Sequence, residues 1–109
     1  MSNRDPIRVC DVDDVSPGEA KRFCVGDFDL AVFNINGSFY VTDDTCTHAP
    51  ASLSEGYIEG DVVECPFHLG AFHIPTGKPV AQPCTVPLRT YPTITLGGGI
   101  FIKEETKED

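Results

Sequence analysis

Two short segments carry the side chains best suited to chemistry, "CTH" at 46–48 and "CPFH" at 65–68. Each offers one sulfur and one imidazole, and sixteen residues separate His48 from Cys65. Pro50, Pro66 and Gly70 stand beside them, so both segments read as loop tips. Two adjacent tips of this kind make a four-ligand N₂S₂ metal site from Cys46, His48, Cys65 and His68. One reading is a tetrahedral zinc ion, which accepts two thiolates and two imidazoles. Zinc modules, however, usually pair cysteine with cysteine and histidine with histidine, whereas each segment here mixes them. The other reading is a binuclear iron–sulfur centre, with both thiolates on one iron and both imidazoles on its neighbour.

The elements that must hold these tips are short strands. Gly and Pro punctuate the chain so densely that the longest stretch free of both runs only from 38 to 49. That leaves no room for a long amphipathic helix, and the sequence reads as all-β. "FDLAVFNI" (28–35) and "SFYVT" (38–42) flank Asn36-Gly37, a pair that favours a type I′ hairpin turn. "DVVEC" (61–65) is a strand running into the second segment, and "GAFHI" (70–74) is the next. Pro75-Thr76-Gly77 then suits a type I turn. "TITL" (93–96), "GGG" (97–99) and "IFIK" (100–103) make a closing hairpin. The triple glycine precedes no helix, so it lacks the phosphate cradle of a nucleotide site. The expected architecture is an antiparallel sandwich or partly open barrel.

Composition narrows the function. A chain of 109 residues suits a single domain, residues 1–109, and 40% hydrophobic with 23% charged residues is ordinary for a globular protein. The formal net charge of −9 disfavours nucleic acid, which calls for clustered Lys and Arg, and suits a partner with a basic face. "MSNRDPIRVC" has no apolar signal core, and no window approaches a membrane span, so a cytoplasmic, membrane-free protein is expected. Five cysteines is an odd number and implies reduced thiols or metal ligands rather than a disulfide framework. Cys10, Cys24 and Cys84 show no metal spacing and are expected to be small buried hydrophobes. His73 is expected to be a structural histidine.

The C-x-H, C-x-x-H pattern and the surrounding "ASLSEGYIEGDVVECPFHLGAFHIPTGKPVAQPCTVPL" (51–88) resemble the Rieske ferredoxins of bacterial aromatic-ring-hydroxylating dioxygenases, most nearly those of the biphenyl and carbazole systems. The resemblance runs from about Ile7 to Phe101. It implies a Rieske-type β-sandwich whose smaller cluster-binding subdomain spans approximately 43–85. It also implies one [2Fe–2S] cluster held by Cys46, His48, Cys65 and His68. Relatives often have glycine after the first histidine, where this chain has Ala49-Pro50. "KPVAQPC" (78–84) resembles the proline-containing loop that shields the cluster in relatives. Phe67 and Leu69 would exclude water or form an apolar docking rim.

Mixed ligation raises the reduction potential, because the oxidised centre is formally neutral whereas an all-thiolate cluster is anionic and resists an electron. Rieske centres span roughly −150 to +300 mV. High-potential relatives carry an extra cysteine in each loop, joined as a disulfide. Ala51 and Phe67 occupy those positions here, and "LGAF" after His68 lacks a hydroxyl donor, so the lower half of that range is expected. Gly70 is expected to let a backbone N–H approach a sulfur. Reduction adds negative charge beside the imidazoles and should raise their pKa, so the potential should fall with pH at the alkaline end.

Once His48 and His68 are committed, His73 alone cannot build an oxygenase iron site of two histidines and a carboxylate. With no dinucleotide fingerprint either, the chain reads as an electron carrier rather than an enzyme. The resemblance implies single electrons taken from an NAD(P)H-dependent flavoprotein reductase and passed, by a monomer, to a terminal ring-hydroxylating oxygenase. The alternative is a small Rieske subunit of another redox enzyme, such as an assimilatory nitrite reductase.

Overall fold

The computed structural model describes residues 6–47, 51–66, 70–82 and 86–103. These residues form eleven strands and two single turns of 3₁₀-helix, Val12–Asp14 and Leu53–Glu55, with no α-helix among them. The all-β expectation holds. β1 (Ile7–Asp11), β10 (Thr93–Leu96) and β11 (Gly99–Ile102) form one sheet in the order β1-β11-β10. β2 (Ala20–Val25), β3 (Phe28–Ile35), β4 (Ser38–Asp43) and β9 (Thr90–Tyr91) form a second, in chain order. β5 (Tyr57–Glu59), β6 (Val62–Glu64), β7 (Ala71–His73) and β8 (Pro79–Ala81) form the third, and all pairings are antiparallel.

β3 explains how the sheets are layered. Its side chains alternate in direction, and both directions are buried. Leu30 and Val32 join a core with Val9, Val41, Tyr91, Ile100 and Ile102, while Ala31 and Phe33 join another with Leu53, Val63, Phe72 and Ile74. A strand covered on both faces reads as a continuous apolar run, which is what "LAVF" (30–33) is. The second sheet therefore serves as a shared wall, with the first sheet against one face and the third against the other. The three antiparallel sheets agree with the expected all-β, sandwich-like fold.

The Asn36-Gly37 hairpin is present, with Ile35 opposite Ser38 and positive φ at both turn residues (54° and 93°). Gly97 and Gly98 turn β10 into β11. The turn after β7 differs from the type I expectation. The Gly77 N–H donates to the His73 carbonyl at 2.7 Å, one residue further back than a four-residue turn requires. "KPVAQPC" also differs from a plain loop, because Pro79–Ala81 form the edge strand β8. Proline is tolerated first in an edge strand, where no ladder donor is needed. Residues 83–84 of that segment lie outside the described residues. Among the described residues no helix is long and apolar enough to cross a membrane.

Candidate metal centre

The first metal segment leaves the end of β4, and the second leaves the end of β6. In each, the cysteine N–H donates to a carbonyl five residues ahead, Cys46 to Ala51 and Cys65 to Gly70, both at 3.0 Å. The two loops thus have one size and one closure. Each contains one of the expected histidines. His48 and His68 themselves, with Ala49, Pro50, Phe67 and Leu69, lie outside the described residues.

Cys46 and Cys65 are both buried in one apolar cluster. They are 4% and 1% exposed and belong to the same apolar cluster as Ala51, Leu53, Val63, Phe72, Ile74 and Leu88. Two thiols presented from separate loops into a dry environment suit a soft metal centre that must be shielded from water, and the donor set fits an iron–sulfur cluster. No group of three or more His, Cys, Asp or Glu side chains suited to a metal occurs among the described residues, as expected with both histidines outside them. Gly70 has φ 97°, and its carbonyl closes the second loop.

The loops are braced from outside. The Thr47 hydroxyl donates to the Val86 carbonyl at 2.9 Å, tying the first loop to the segment after β8. Asp44 is a fully buried carboxylate just before the first loop, accepting from the Ser54 N–H at 2.9 Å and the Ser52 hydroxyl at 2.6 Å. Sequence reading passed over this residue. The available signal was an acid two positions before the candidate ligand Cys46, with serines at 52 and 54 able to reach back.

The remaining candidates separate. His73 is satisfied at both ring nitrogens, by Thr76 at 2.8 Å and Asp61 at 3.0 Å, as expected of a structural histidine. Cys10 is buried, but Cys24 is exposed, contrary to the expectation of a buried small hydrophobe. β2 is an edge strand that turns Phe23 and Val25 inward, and alternation leaves Cys24 facing water. Cys84 lies outside the described residues. Burial, then the nearby Asp14, pushes the Cys10 thiol up to about 11, which keeps it neutral and poorly reactive. Arg22 grips Asp29 through two hydrogen bonds of 2.7 and 2.8 Å and holds its carboxyl below the usual range.

Comparison with known proteins settles the class. The Rieske [2Fe–2S] domain family matches residues 5–92. The ferredoxin CarAc of Metapseudomonas resinovorans is 47% identical over 102 residues, spanning 93% of this chain and 95% of its own. The 3-phenylpropionate/cinnamic acid dioxygenase ferredoxin subunit of Escherichia coli strain K12 is 48% identical over 97 residues, spanning 88% of this chain and 91% of its own. A chain in the solved complex of reduced oxygenase and oxidized ferredoxin in carbazole 1,9a-dioxygenase superposes with a TM-score of 0.85 at 45% identity, covering 98% of this chain and 100% of that one. A zinc module is thereby set aside. The chain belongs to the Rieske [2Fe–2S] domain family, as a ferredoxin that carries electrons on a single [2Fe–2S] cluster.

Proposed function

We propose that Cys46, His48, Cys65 and His68 are the cluster ligands, the two thiolates on one iron and the two imidazoles on the other. They lie in a subdomain of approximately 43–85 within a single domain of 1–109. The observation that carries this reading is the pair of equal loops, each closed over a buried cysteine and each containing one histidine. The bound cluster supplies reversible one-electron chemistry at a potential raised by imidazole ligation. The chain's own part is to bury the thiols among Ala51, Leu53, Val63, Phe72 and Leu88, exclude water from them, and fix both loop stems by hydrogen bonds.

In this reading the protein is a cytoplasmic, monomeric carrier. It accepts single electrons from an NAD(P)H-dependent flavoprotein reductase and delivers them to a terminal ring-hydroxylating oxygenase. Relatives named as dioxygenase ferredoxin subunits, and the solved pairing of a ferredoxin with an oxygenase, support it over a subunit of an assimilatory nitrite reductase.

His68→Ala tests the ligand set. The variant is expected to lose the cluster's visible absorbance and much of its folded stability, because metal binding and folding are coupled. A folded variant with wild-type iron and absorbance removes His68 from the set.

A further inference from the structure

The two loops close alike but are rooted differently. Behind the second loop, the Cys65–Gly70 closure runs straight into a strand ladder, with Glu64 opposite Ala71 and Val63 opposite Phe72. Behind the first, the Cys46–Ala51 closure is followed by one isolated bridge, Thr45 opposite Ser52, and the chain then enters the 3₁₀ turn Leu53–Glu55. The ladder is missing on that side, and Asp44 stands in its place.

Every polar group of Asp44 that carries the stem is engaged. Its N–H donates to the Asp29 carbonyl at 2.9 Å, and its carbonyl accepts from the Leu53 N–H at 2.7 Å. Its carboxylate accepts from the Ser54 N–H and the Ser52 hydroxyl, and the Arg22 Nε lies 3.5 Å away. Because the Ser52 hydroxyl proton points to Asp44, the Ser54 hydroxyl is the donor in its 2.9 Å contact with Ser52. Arg22 is itself fixed by Asp29. The carboxylate is 2% exposed, so its hydrogen bonds are poorly exchanged for water and strongly directional.

We infer that Asp44 is a positioning residue for the redox centre. Its carboxylate fastens the outgoing arm of the first loop to the incoming arm and so sets where Cys46 stands. This rests on the ligand assignment proposed above. A merely structural Asp44 would lower unfolding stability without altering the centre, so the decisive readouts are iron release and the reduced-state EPR g-values of the holoprotein.

The variants are Asp44→Ala, Asp44→Asn and Ser52→Ala. Ala and Asn remove the charge equally, but Asn keeps an acceptor for the Ser54 N–H, so their difference isolates the hydrogen bonds. Positioning groups around metal ligands typically contribute ~10–100-fold in affinity. Asp44→Ala should therefore release iron to a strong chelator at least ~10-fold faster than wild type, with shifted g-values, and Asp44→Asn should recover part of both. Should Asp44→Ala fail to accumulate as a folded holoprotein, Ser52→Ala decides, with several-fold faster release and shifted g-values expected. Wild-type release and g-values in the deciding variant overturn the positioning role. If the wild-type protein itself showed no imidazole nitrogens coupled to the reduced centre, the ligand assignment would fail instead.

Discussion

Cys10 and Cys24 are the same chemical group in opposite surroundings, and the difference is measurable. Cys10 is buried, part of β1 and of the core beneath it, and its thiol is pushed up to about 11 from an ordinary 9.0. A group whose folded-state pKa is raised contributes stability that is complete below the unfolded value and is lost as pH rises toward the folded one. The window here runs from pH 9 to about 11. Wild type should therefore lose unfolding stability relative to Cys10→Ala across that window, measured by urea denaturation at a series of pH values. Parallel profiles for the two proteins would show that Cys10 is not held neutral. At this scale the sequence was legible where spacing carried the signal, as with Cys46 and Cys65, which are buried in one cluster, and where a default sufficed, as with His73. It misled on Cys24, because inside or outside is decided by strand register rather than residue type. It was silent on Asp44, whose importance lies in a fold-dependent meeting with Ser52 and Ser54.

Strands bounded by strong turn chemistry were readable from the chain. β3, β4, β10 and β11 fall where "FDLAVFNI", "SFYVT", "TITL" and "IFIK" place them, and β6 and β7 within "DVVEC" and "GAFHI". β2 and β5 were missed, although Gly26-Asp27 and Gly60-Asp61 are hairpin signals of the same kind. β8 and β9 are short, flanked by proline, and exist through pairing with neighbours rather than local preference. The turn after β7 gives the element-scale prediction. Gly77 has φ 77°, and a Cβ there would stand 2.2 Å from the Leu88 carbonyl oxygen, whose own N–H donates to Gly77. Gly77→Ala should cost roughly 2–4 kcal/mol, combining a left-handed alanine with a forced backbone shift. Gly18 has a similar φ of 83° with nothing within 4 Å, so Gly18→Ala should cost only about 1–2 kcal/mol. Equal melting temperatures for the two variants would show that the Gly77–Leu88 contact is dispensable.

At the scale of the whole molecule, the layered arrangement was the least legible feature. β1 pairs with β11, Ile7 opposite Ile102, and no local pattern announces a contact between the two ends of a chain. The burial of β3 on both faces was written in its unbroken apolar run, but which sheet covers which face was not. Charge belongs to this scale as well. A net charge of −9 gives the chain a long-range field of the kind that speeds encounter with a basic surface. Stopped-flow delivery of electrons to a purified ring-hydroxylating oxygenase should slow several-fold between ~50 and ~500 mM salt, as the screening length shrinks. Rates independent of salt would remove electrostatic steering from the account.

In the proposed ligand set one iron is held by the sulfurs of Cys46 and Cys65 and its partner by the rings of His48 and His68. Electron–nuclear hyperfine spectroscopy of the dithionite-reduced protein tests it most directly, with ¹⁵N-histidine incorporated to identify the nitrogens. Two strongly coupled histidine nitrogens are expected, falling to one or none when either His48 or His68 is replaced. A reduced spectrum without coupled histidine nitrogen, or one unchanged by both replacements, would contradict it.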